Sequence, residues 1–181
     1  SKTWPYEESI RVPMVWRLPW VEQGRSDSAQ VLNIDLAPTI AELAGAEPGL
    51  VDGTSLVPML KWDPATWDPS SGPAPGTGRS DFVIEWRGSD LTAVQGPPPY
   101  EGIHTQRYVY VEYDNGGREL YDLQTDPDQL NNLAGDPTYA ELQAKMAARL
   151  KVLLAEQPHP VPSASPLPVA PASASPVSAL P

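Results

Sequence analysis

His104 and His159 are the two side chains of this chain that titrate near neutral pH unaided. A histidine beside a cleft can donate a proton or hydrogen-bond a sugar. His104 stands directly before a run that reads as a strand and is the candidate substrate-binding residue; packing and plain surface exposure are the competing roles. His159 lies in a low-complexity tail and is expected to carry no chemistry. Glu7 and Glu8 are adjacent carboxylates, but neighbours on a strand point apart, so they do not make an acid–base pair. Asp114-Asn115 has the donor types of a metal site, yet it runs into Gly116-Gly117, and turn chemistry accounts for it. Trp62 and Trp67 flank a proline-rich stretch and can present rings to a sugar, with packing as the alternative. There is no cysteine, which removes disulfides, thiolate metal sites and a cysteine nucleophile within this chain.

The elements that would position these groups form an α+β pattern. Residues 10–16 are mostly apolar and read as a strand covered on both faces. Asp35 and Pro38 open a two-turn helix that Gly45 ends, and Ser55 caps a further short helix through Leu60 after the Asp52-Gly53 turn. Residues 63–80 and 89–99 are loops rich in proline, glycine and serine. Residues 81–86 read as a strand. Residues 105–113 and 118–123 read as a hairpin about Asp114-Asn115-Gly116-Gly117, with Arg107, Val109, Val111 and Tyr113 on one face. A last helix starts at Asp136-Pro137 and carries Tyr139, Leu142, Met146, Leu150 and Leu153 as one apolar stripe, expected to pack on the sheet.

Residues 157–181 hold eight prolines, no aromatic residue and no Asp, Glu, Lys or Arg. Such a segment cannot bury enough apolar surface to offset its ordering entropy, and is expected to be disordered or polyproline-like. The net charge of −11 makes nucleic acid and anionic lipid improbable partners. No run approaches the length of a membrane span. The compartment stays open, with an extracytoplasmic location slightly favoured.

Five stretches, in order, resemble type I sulfatases of the alkaline-phosphatase-like superfamily. Lys2-Thr3-Trp4-Pro5-Tyr6-Glu7-Glu8 leads into Ile10-Arg11-Val12-Pro13; Asn33-Ile34-Asp35-Leu36-Ala37-Pro38-Thr39 runs to Ala44-Gly45. Asp52-Gly53-Thr54-Ser55-Leu56, then Glu119-Leu120-Tyr121-Asp122-Leu123 with Asp126-Pro127, and finally Asn132-Leu133-Ala134 complete the set. Sulfatases acting on sulfated sugars, N-acetylglucosamine-6-sulfatases and arylsulfatases among them, look most similar. The departures are Ser1 where glycine is usual, His104 where arginine is frequent and Val109 where lysine is common.

The resemblance implies a C-terminal portion of an α/β sulfatase fold. Residues 1–62 would form the edge of the main domain, 63–156 a C-terminal subdomain with a small antiparallel sheet packed on a helix, and 157–181 the tail. It implies hydrolysis of a sulfate ester of a sugar or aryl alcohol by a formylglycine nucleophile with calcium. Lys2 would be the catalytic residue carried by this chain, a point charge reaching the sulfate. The nucleophile motif and the acidic metal ligands are absent from the sequence. The expected partner is therefore an N-terminal catalytic portion, the chain alone is expected to be inactive, and it is expected to bind no calcium itself. A phosphate or phosphonate ester hydrolase of the same superfamily and a non-catalytic binding module are the alternatives.

Overall fold

The computed structural model describes residues 3–21, 24–61, 79–88 and 96–156. Lys2, Trp62, Trp67, His159 and the expected tail lie outside the described residues. Four strands, β1 (Asp81–Trp86), β2 (Tyr100–Thr105), β3 (Tyr108–Tyr113) and β4 (Arg118–Asp122), form one antiparallel sheet in the order β1-β2-β3-β4. The helices are α1 (Glu7–Ile10), α2 (Leu36–Leu43), α3 (Val57–Lys61) and α4 (Ala140–Glu156).

Strand alternation gives the sheet two apolar faces. Ile103, Tyr110 and Leu120 face α4 and meet Met146 and Leu150, with Tyr139, Leu142 and Leu153 beside them. This is the stripe expected from the sequence. Burying each of its large side chains is worth about 1.5–3 kcal/mol. Asp136 caps the helix entry by accepting the Thr138 N–H at 2.8 Å, and Arg149 reaches from α4 to both oxygens of Asp81 on β1. Ile84, Tyr100, Val109 and Val111 line the opposite face, which Ile10 covers from the N-terminal segment.

Two expectations are corrected. Residues 11–18 form no strand; they run without regular structure, with Met14, Trp16 and Leu18 packing on α3 while Val15 is exposed. The apolar run is therefore covered on one side of the described structure, not on two. The run 105–113 is split: Thr105 ends β2 and Gln106-Arg107 turn the chain into β3. The Thr105 hydroxyl accepts the Tyr108 N–H at 2.8 Å and donates to the Tyr108 carbonyl at 3.0 Å, closing a turn that has neither glycine nor asparagine. His104 thus sits inside β2 and not ahead of a strand.

The remaining family-like stretches fold around Asp35. This carboxylate is buried and accepts the Leu32 N–H through Oδ2 and the Thr54 N–H through Oδ1, each at 2.8 Å. Arg79 donates to Oδ1 at 2.5 Å. Thr39, also buried, donates to the Asp35 carbonyl and accepts the Leu56 N–H at 2.8 Å. Gly53 lies so close to this centre that a Cβ there would stand 2.0 Å from the Ile34 carbonyl oxygen.

Candidate functional site

The N-terminal segment that follows Lys2 lies across the sheet face away from α4, and every one of its first turns is tied down. The Tyr100 hydroxyl donates to the Thr3 carbonyl at 3.1 Å. The Tyr6 ring stacks on Trp4 and meets Tyr121 edge-on, and its hydroxyl donates to Glu119 at 3.2 Å. Burial raises the Tyr6 hydroxyl pKa, the Glu119 charge adding to it, and burial likewise raises those of Tyr113 and Tyr121. These phenols stay neutral around the Glu119 carboxylate, and Tyr6 donates to it. Glu7 opens α1, so its N–H has no partner within the helix; the side-chain oxygen of Gln129 accepts it at 2.7 Å.

Glu7 also reaches the one described histidine. His104 alternates onto the same sheet face, stacks on Phe82 with ring centroids 4.8 Å apart, and keeps only 8% of its side chain exposed. Its Nε2 lies 2.7 Å from Glu7 Oε1 and its Nδ1 lies 3.0 Å from Gln30 Nε2. The hydrogen bond with His104 is the main cause that holds the Glu7 carboxyl below its usual range, with His104 and Arg11 charge adding to it against burial. An ionised carboxylate can only accept, so Nε2 carries the proton. Both ring nitrogens are thereby engaged.

Two clefts open nearby. The larger, about 530 Å³, is lined by Met14, Trp16, Leu18, Arg25 and Met59 and includes none of the candidate residues. The smaller, about 370 Å³, is bounded by Gln30, Arg79, Thr105, Gln106 and Arg107 and does not include His104 in its lining. Its two guanidiniums are committed to carboxylates: Arg79 to Asp35, and Arg107 to both oxygens of Asp122 at 2.9 and 2.7 Å. Arg107 draws the Asp122 pKa down and is itself raised by that hydrogen bond.

No three His, Asp or Glu side chains converge to hold a metal ion among the described residues. Asp114 and Asn115 are turn residues: the Asp114 N–H goes to the Pro99 carbonyl and the Asn115 side-chain oxygen accepts the Gly117 N–H. Among the described residues no helix is long and apolar enough to cross a membrane. Sequence reasoning picked out His104 and Glu7 separately but did not join them, and it missed Gln30 and Gln129 altogether. Neither glutamine stands in a pattern that signals its partner, 74 residues away for Gln30 and 122 for Gln129.

The N-sulphoglucosamine sulphohydrolase C-terminal family matches residues 1–71 and 85–156. A curated N-acetylglucosamine-6-O-sulfatase from Bacteroides thetaiotaomicron is 30% identical over 155 residues, covering 83% of this chain and 26% of that protein. A solved structure of a protein in complex with its substrate D-glucosamine-2-N,6-O-disulfate superposes with a TM-score of 0.54 at 27% identity, covering 67% of this chain and 23% of its own. A phosphonate monoester hydrolase of Agrobacterium radiobacter is similar at 27% identity and a TM-score of 0.51, with 67% and 24% covered. The chain therefore spans about a quarter of the length of these relatives.

Proposed function

This chain belongs to the N-sulphoglucosamine sulphohydrolase C-terminal family, and we propose that it is the C-terminal part of a sulfatase that hydrolyses sulfate esters of sugars or aryl alcohols. The observation that carries this reading is the family match along both sheet-bearing and helical segments, with an N-acetylglucosamine-6-O-sulfatase among the relatives. A second observation supports membership of a larger molecule. Leu36, Ile40 and Leu43 make an apolar stripe on α2 that stays exposed, Ile40 at 58%, and an unpartnered stripe of that kind is what a helix buries against a neighbour.

Cleaving a sulfate ester requires neutralising the sulfate oxygens and the leaving alkoxide. Lys2 is the residue of this chain proposed to contact the sulfate, by its place ahead of the anchored segment at Thr3. The metal and the formylglycine nucleophile that the family resemblance implies are assigned in this proposal to the rest of the enzyme. The share of this chain is binding and positioning. Phosphonate ester hydrolysis is the second reading, favoured by the Agrobacterium neighbour.

The test is to express the whole reading frame that contains these residues with formylglycine maturation, and to compare three substrates: 6-O-sulfated N-acetylglucosamine, an aryl sulfate and an aryl phosphonate monoester. Turnover of either sulfate that falls on replacing Lys2 with alanine is expected. Preference for the phosphonate by a factor above about ten would overturn the sulfatase reading. No turnover of any of the three would overturn both.

A further inference from the structure

Four residues from separate stretches make one connected chain across the sheet: Gln30, His104, Glu7 and Gln129. The joints are 3.0 Å from Gln30 to the ring, 2.7 Å from the ring to Glu7, and 2.7 Å from the Glu7 N–H to Gln129. Gln129 holds its end of this chain at a cost. It is buried, yet its φ is 53°, a left-handed conformation that a residue with a Cβ adopts against a penalty. That backbone aims the side-chain oxygen at the first turn of α1. His104 is spent likewise: a buried imidazole with both nitrogens occupied has no atom left for a substrate.

We propose that His104 and Gln129 are positioning residues, a clamp that grips Glu7 from two sides and fixes the segment that follows Lys2 in the sequence. The inference rests on the sulfatase reading where it concerns Lys2; the clamp itself rests only on the contacts. His104 works as the donor that matches the Glu7 carboxylate, and Gln129 as the acceptor that matches its N–H. The contacts of Tyr6 and Tyr100 hold the backbone ahead of α1, Ile10 packs its end on the sheet, and the clamp holds Glu7 at its first residue. The orientation of Gln30 follows the ring: its amide donates to an unprotonated Nδ1 and, turned over, accepts from a protonated one.

The experiment compares His104→Ala, His104→Arg and Gln129→Gly in the 181-residue chain by amide hydrogen exchange. In His104→Ala the α1 amides of Ser9, Ile10 and Arg11 are expected to exchange about tenfold faster, while β3 and α4 keep their protection. His104→Arg keeps a donor for Glu7 and is expected to restore most of that protection. Gln129→Gly relieves the left-handed strain while removing the acceptor, so α1 is expected to loosen without loss of global stability. That combination excludes misfolding as the cause. Unchanged α1 exchange in both His104→Ala and Gln129→Gly would overturn the clamp.

A second arm uses the enzyme containing this chain. There His104→Ala is expected to lower kcat for the sulfate ester on the order of tenfold, with KM within about twofold, because misplacement of a positioned group acts on the transition state. Loosened α1 exchange with unchanged kcat would overturn the link to Lys2. If the unaltered enzyme turns over no sulfate ester, the sulfatase reading fails, and the exchange data still decide the clamp.

Discussion

Asp35 gathers three groups because a buried carboxylate is stable only when its lone pairs are filled, and Leu32, Thr54 and Arg79 fill them. Removing it strands a partly buried guanidinium and two N–H groups. Asp35→Ala is therefore expected to cost about 3 kcal/mol in urea unfolding. Gly53→Ala is expected to cost a similar amount, about 3 kcal/mol, through overlap with the Ile34 carbonyl and with no change of charge. Glu7 sets a pH dependence whose sign follows from its lowered pKa. A carboxyl held below its ordinary value of 4.5 contributes fully above that value and loses its contribution as pH falls through the lowered one. Around that carboxylate stand His104 on β2 and Arg11 at 3.9 Å on the segment after α1. α1 protection, taken relative to the exchange rate of the unstructured chain at the same pH, is therefore expected to fall as pH drops below the ordinary carboxyl value of 4.5, and Glu7→Gln is expected to be loose already at neutral pH and to lose that acid step. An acid response identical in Glu7→Gln and the parent would assign it to another carboxylate.

At the scale of elements, what the sequence revealed depended on how far the controlling contacts lie. α4 was legible because its cap, its Pro137 and its stripe are all local, and Met146 and Leu150 occupy the expected core. The β3–β4 hairpin was legible because Gly116 sits at φ 88°, the conformation that Asn-Gly sequences announce. The β2–β3 turn was not, since Gln106-Arg107 carries no turn signal and a threonine hydroxyl closes it. Residues 10–16 misled for another reason. Their apolar character serves the packing of Met14 and Trp16 beside α3, and α1 takes the first of them. The Glu7–His104 pair was invisible because the two are 97 residues apart. These elements also differ in what holds them. Leu150→Ala, at 2% exposure against Ile103 and Leu120, is expected to cost about 3 kcal/mol in thermal unfolding. Arg149→Ala, which frees a half-exposed ion pair to Asp81, is expected to cost no more than about 1 kcal/mol. A reversed order would mean that α4 is held by charge and not by its stripe.

Over the whole molecule, the two sides of the sheet are finished and the α2 region is not. α4 closes one face, and the anchored segment with α1 closes the other. By contrast Leu36, Ile40 and Leu43 repeat at i, i+4 and i+7 on a helix and stay 36%, 58% and 37% exposed, and Val15 is 90% exposed. Such surface is tolerated in water but favours association once it is contiguous. The sulfatase reading gives it an occupant: the remainder of the enzyme. Two opposite effects of one substitution follow. Ile40→Glu places a charge where the stripe is exposed, so in the 181-residue chain it is expected to leave the unfolding midpoint unchanged and to lower self-association in sedimentation velocity. In the full-length enzyme the same charge would be buried without a partner, at about 3 kcal/mol or more, and soluble yield and melting temperature are expected to fall together. A full-length protein indifferent to Ile40→Glu would show that α2 faces solvent there as well, and the exposed stripe would then no longer count in favour of a larger fold.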